Sequence, residues 1–144
     1  MILSPEEKKR IVLYPRGKSI PVSDHFVSRE FDCPCGCAPT RIDTLLVGQL
    51  ELIRSIVLRP VVITSAYRCP EYQDDLRKRG YETAVGVSTH NLGMAADLTV
   101  AGMTGQELLA AARRAGFICV GVGNFWIHVD TRLDKKREWG YLKR

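Results

Sequence analysis

The sequence predicts an α+β fold, an antiparallel sheet with helices packed on one face. Two observations lead there. Segments with apolar residues at helical spacing alternate with short β-branched runs, in the order helix, strand, helix, strand, helix, hairpin. The last three strand-like segments end in a hairpin signal, so they can pair antiparallel. At 144 residues the chain has the length of one ordinary domain and can bury a single core. Its 45% hydrophobic and 26% charged residues are those of a soluble globular protein.

Residues 1–22 carry Pro5, Pro15 and Pro21 among mixed charges, which predicts an irregular arm ahead of a single domain over 23–144. A short turn of helix is expected within 23–31. Asp43 opens the main helix, in which Leu45, Leu46, Val47, Leu50, Leu52, Ile53, Ile56 and Val57 recur at helical spacing until Arg59-Pro60. Residues 61–68 read as a buried strand. Pro70 suits the first turn of a helix that runs to Gly80, because its missing N–H would be unpaired there anyway. A polar loop around Gly86 then delivers His90.

Residues 95–100 read as the second strand. Thr104 and Glu107 have capping-box spacing ahead of a helix that Gly116 stops. Strands over 117–122 and 126–131 flank Gly123-Asn124, and the tail from Asp134 is charged and expected on the surface. No apolar run approaches bilayer-spanning length. No secretory signal is visible, so the expectation is a cytoplasmic protein, one exported by another route, or a chain lacking its leader.

The chemistry concentrates in Ser88-Thr89-His90-Asn91-Leu92-Gly93-Met94-Ala95-Ala96-Asp97 and in Trp126-Ile127-His128-Val129-Asp130. Two imidazoles and a carboxylate are a ligand set that catalytic zinc prefers, since three protein ligands leave a fourth position open. Side chains alternate along a strand, so His128, Asp130 and Arg132 share one face and Ile127, Val129 and Thr131 the other. The apolar side goes to the helices, which makes the His128 face the open one. Asp97 on a neighbouring strand can meet His128, with His90 arriving from the preceding loop. The competing reading is a set of satisfied polar residues with no ion. His25 stands apart and reads as a surface or capping residue.

Five cysteines cannot all pair within one chain. Cys33, Cys35 and Cys37 lack the C-x-x-C spacing usual for zinc; with Cys69 they leave open a second metal, a disulfide or reduced thiols. Cys119 reads as a small buried hydrophobe. The net charge of +5 suits a polyanionic partner such as an anionic cell wall or nucleic acid. The basic residues are scattered, with no interleaved aromatic residues as on a stacking surface, so a nucleic-acid partner is not expected.

Ser-x-His-x-x-Gly-x-Ala-x-Asp, the strand end Ser65-Ala66-Tyr67-Arg68 and His-x-Asp on a glycine-rich hairpin, in that order, resemble the zinc D-Ala-D-Ala carboxypeptidase family. These cell-wall peptidases share a fold with the signalling domain of hedgehog. The likeness runs from about Phe26 to Arg132 and includes the Phe31-Asp32-Cys33-Pro34-Cys35-Gly36-Cys37 lead-in. It implies a Zn²⁺ peptidase acting on peptidoglycan stem peptides or cross-links, either phage-type and lytic or involved in wall remodelling. His90, Asp97 and His128 would be the ligands, Arg68 would bind substrate and polarise its carbonyl, and Ser88 would hydrogen-bond beside the metal loop at the substrate. Several members carry an acidic general base three residues before the last histidine ligand. Phe125 stands there in this chain, so Asp130 is the candidate base, or else a carboxylate that orients a ligand. A zinc-containing module that binds the cell wall without catalysis is the alternative.

Overall fold

The computed structural model describes residues 3–36, 39–81 and 88–141. Cys37 and the Gly86 loop lie outside the described residues. The fold is α+β. Its main sheet has five strands in the order β3 (Val62–Ser65), β4 (Ala95–Thr99), β6 (Ile127–Asp130), β5 (Cys119–Val122) and β7 (Arg137–Gly140). The pairs are antiparallel except β5 with β7, which is parallel. The expected three-stranded antiparallel unit is thus its centre, extended by β3 on one side and by β7 on the other. Part of the charged tail, expected on the surface, is therefore a half-exposed edge strand.

The helices α2 (Thr44–Val57) and α5 (Gly105–Arg114) pack on each other and α5 on the sheet. Leu46, Leu50 and Ile53 of α2 and Leu108 and Ala112 of α5 are fully buried with Leu98, Val120, Ile127 and Val129. These residues recur three and four apart on the helices and two apart on β6, so each period turns one face inward. Leu52, expected in the apolar set, falls on the outer side of α2 and is exposed. Thr104 and Glu107 form the capping box of α5, and Pro70 starts α3 (Pro70–Lys78). Asp43 caps α2 by accepting the Leu45 amide at 2.9 Å.

The N-terminal segment departs from the irregular arm expected of it. Residues Pro5–Arg10 form α1, closed by a Ser4–Glu7 capping box, and Ile11–Tyr14 form β1. β1 pairs antiparallel with β2 (Thr40–Asp43). The prolines do not forbid this: Pro5 is in the first turn, where no backbone donor is needed. Arg10 grips both carboxylate oxygens of fully buried Asp43, at 3.1 and 3.0 Å, and Thr131 donates to the same carboxylate at 2.6 Å. One acid therefore ties α1, the start of α2 and the end of β6. Ser28–Phe31 is a 3-10 turn within the short helical segment expected there.

Candidate metal centre

The register of the sheet sets Asp97 on β4 directly opposite His128 on β6, and Ala95 opposite Asp130. His90 belongs to a one-turn helix α4 (Thr89–Leu92), capped by Ser88 and ended by Gly93. Gly93 has φ +80°, and a Cβ there would sit 2.5 Å from the Arg41 carbonyl oxygen. Only glycine fits that sharp exit from α4 into β4. Two further hydrogen bonds hold α4 to the segment that follows β3: the Asn91 side-chain amide donates to the Arg68 carbonyl at 2.7 Å, and the Arg68 amide to the His90 carbonyl at 3.2 Å.

These constraints bring together the three residues that the sequence singles out. His90 Nε2 lies 3.2 Å from His128 Nδ1 and 3.3 Å from Asp97 Oδ1; His128 Nδ1 lies 3.1 Å from the same oxygen. All three are buried, at 4–6% exposure.

The outer atoms of each ring decide what the inner ones can do. His90 Nδ1 is 2.6 Å from the Ala66 carbonyl, which only accepts, so Nδ1 carries the proton. His128 Nε2 is 2.8 Å from Asp130 Oδ2 and donates to it. In the neutral form that ligation requires each ring has one N–H, so the inner nitrogens and Asp97 Oδ1 then all present lone pairs to one point. Lone pairs so crowded repel unless a cation lies among them. Zinc–nitrogen and zinc–oxygen bonds of ~2.0–2.1 Å at tetrahedral angles set donors about 3.3–3.4 Å apart, close to the separations seen. The residues present therefore fit a divalent ion of the zinc type.

Electrostatics agree. Burial disfavours the charged ring of both histidines. At His90 burial prevails and the pKa falls below its ordinary value. At His128 the hydrogen bonds to Asp130 and Asp97 overcome burial and push the pKa up to about 9. Burial also opposes ionisation of both acids, yet the histidines hold the Asp97 carboxyl well below the usual carboxylate range. His128 and Arg132 hold Asp130 at about 2. Without a metal, then, a proton on His128 occupies the place that a cation would take.

The expected open face of β6 is covered. His128 and Asp130 are 5% and 1% exposed. The Trp139 ring lies 5.4 Å from His128, and Arg132 clamps both oxygens of Asp130 at 2.9 and 3.0 Å. Gly121, opposite His128 on β5, makes room: a Cβ there would lie 2.7 Å from Trp139. Sequence reasoning missed Trp139 because it sits in the charged tail. It also missed Asn91, although Ser88-x-x-Asn91 has the spacing of a capping box.

Arg68 is buried beside the ligands. It donates to Asp97 Oδ2 at 2.8 Å, Ser65 Oγ at 2.9 Å and Gln73 Oε1 at 3.4 Å. It thereby turns Asp97 Oδ1 toward the histidines, and two of its five N–H groups remain for a ligand. Arg68 and Asp97 line a cleft of about 390 Å³ with Thr64, Ser65, Tyr72 and Trp126. Of the three ligands only Asp97 is part of that lining; His90 and His128 lie behind it, as do Asp130 and Ser88. Both Asp130 oxygens face His128 and Arg132, on the far side of the His128 ring from the cluster. Ser88, beside the metal loop, accepts the Asn91 amide as the cap of α4. His25 pairs with Glu51 on the surface, at 2.7 Å.

No curated protein and no solved structure matches the chain. A family model does, described as Peptidase M15 and matched over residues 24–130. With its α+β fold and its His90–Asp97–His128 cluster, the chain belongs to the Peptidase M15 family of metallopeptidases.

Proposed function

We propose that this chain is a zinc-dependent peptidase that hydrolyses peptide bonds of peptidoglycan stem peptides or cross-links, of the D-Ala-D-Ala carboxypeptidase or endopeptidase type. The observation that carries the reading is the convergence of three donor atoms, from His90, Asp97 and His128, beside a cleft that Asp97 and Arg68 line. Zinc at such a site supplies Lewis acidity and lowers the pKa of water from ~15.7 to about 7. The protein's own groups do the rest. His90 and His128 are held as the tautomers that ligation needs, by Ala66 and Asp130. Arg68 offers its two remaining N–H groups to the substrate carbonyl or carboxylate, where negative charge accumulates. The walls of the cleft, Tyr72 and Trp126 among them, give the peptide an amphipathic surface. The net charge of +5 favours approach to an anionic cell wall.

The orientation of Asp130 supports a positioning role for it rather than that of general base. That same observation favours a second reading, a zinc-containing module that binds cell wall without cutting it, because Asp97 is the sole carboxylate among the described lining of the cleft. Hydrolysis of purified muropeptides separates the two. The peptidase reading expects products from the zinc-loaded chain, none after chelation, and a loss of about 10²–10³ in rate for Arg68→Ala. Muropeptide binding with no product at any zinc level would favour the module.

A further inference from the structure

A second group of potential ligands lies outside this centre. Cys33 and Cys35 follow the 3-10 turn, and Cys69 is the N-cap residue of α3. Their sulfurs are 3.3 Å (33–35), 3.8 Å (33–69) and 3.1 Å (35–69) apart. None of these separations is near the ~2.05 Å of a disulfide bond. Cys33 and Cys69 are buried and Cys35 is exposed. The Cys69 amide donates to Cys33 Sγ at 3.3 Å, and the Tyr67 amide to the Phe31 carbonyl at 3.1 Å, so the two segments are fixed against each other before any ion is added.

We infer that Cys33, Cys35 and Cys69 form a second, structural metal site that takes a thiophilic divalent ion, zinc in the first instance. Zinc–sulfur bonds of ~2.3 Å at tetrahedral angles place sulfurs about 3.8 Å apart, and the observed separations approach that value from below. The circle through the three sulfurs has a radius of about 2.0 Å, so a point ~2.3 Å from each exists, about 1.2 Å off their plane. Soft thiolates select zinc over the hard cations. Cys69 stands where helices prefer Ser, Thr, Asp or Asn, and its side chain makes no capping hydrogen bond. A thiolate there gains from the helix N-terminus while serving as a ligand.

The consequence is mechanical. Cys69 follows Arg68, whose side chain aims Asp97 at the histidines. An ion joining residues 33–35 to residue 69 therefore anchors the connection between β3 and α3 that carries Arg68. Its bound form loses the thiol protons to solvent and involves no redox step. This inference stands apart from the peptidase reading and survives if the chain cuts nothing.

The test is metal content of the full-length chain, purified with zinc and reductant, together with the absorption of its Co²⁺-exchanged form. The expected result is two zinc per chain, one left in His90→Ala, and a near-ultraviolet thiolate-to-cobalt band in both proteins. Cys33→Ser combined with Cys69→Ser should abolish that band. Should this variant fail to fold, the band in the unaltered chain decides. A single zinc that His90→Ala removes completely, or the absence of the cobalt band, overturns the inference. So does a count of three rather than five reactive thiols after denaturation without reductant, since two cysteines would then be joined.

Discussion

At the scale of single residues the site turns on His128, whose two nitrogens face opposite chemistries. Nδ1 meets His90 and Asp97, while Nε2 is held by Asp130, itself clamped by Arg132. Removing Asp130 frees the ring to turn and to take the wrong tautomer. Asp130→Ala is expected to weaken zinc binding at this centre about 10–100-fold, measured by competition with a chelating dye. Unchanged affinity with lost hydrolysis would make Asp130 the base instead. The same residue sets a pH dependence. The pKa of His128 in the metal-free protein is raised to about 9, so its contribution to stability is complete below its ordinary value of 6.5. That contribution is lost as pH rises through about 9. The urea midpoint of metal-free protein should therefore fall between pH 6.5 and 9, and His128→Gln should flatten that decline. Zinc must displace this proton, so activity declines on acidification and should be low below about pH 6; a rate unchanged down to pH 4 would contradict metal ligation by histidine.

At the scale of elements, two strands and one short helix hold the ligands, and much of this was legible beforehand. Alternation along Ile127–Asp130 separates His128 from Ile127 and Val129, and the register of β4 with β6 sets Asp97 opposite His128. The Thr104–Glu107 box and Pro70 marked helix starts because capping is local chemistry. What escaped was non-local. Asp43 was visible as a helix opener, but Arg10 lies 33 residues away and Thr131 lies 88 away, and no local pattern announces such pairs. The Ser4–Glu7 box was in the sequence but lay among prolines that suggested an irregular arm. β7 is an edge strand of charged and aromatic residues whose parallel partner β5 lies on the other side of β6 in the chain, so neither alternation nor a turn signal reveals it. Asp43→Ala should destabilise the fold by about 3 kcal/mol, since it leaves the buried α2 terminus and Arg10 without a partner. Asp43→Asn, which still caps, should cost less; equal losses in urea unfolding would show that the cap is the minor part.

At the scale of the molecule, helices cover one face of the main sheet, while Trp139, the Arg68 segment and α4 crowd the His128 side. The donors are fixed by backbone hydrogen bonds and a packed core, so little rearrangement is required when an ion enters. An ion that binds only the folded chain adds to its stability, by about 2.7 kcal/mol at a hundred times the dissociation constant. Thermal unfolding should therefore shift upward with zinc, and the increment should shrink in His90→Ala; an identical increment would place all the binding elsewhere. The most direct test of the central claim is an anomalous-difference map at the zinc edge from crystals grown with zinc. A peak about 2.0–2.2 Å from His90 Nε2, Asp97 Oδ1 and His128 Nδ1 is the result predicted. No peak among those three atoms, with zinc present in the crystal, would contradict it.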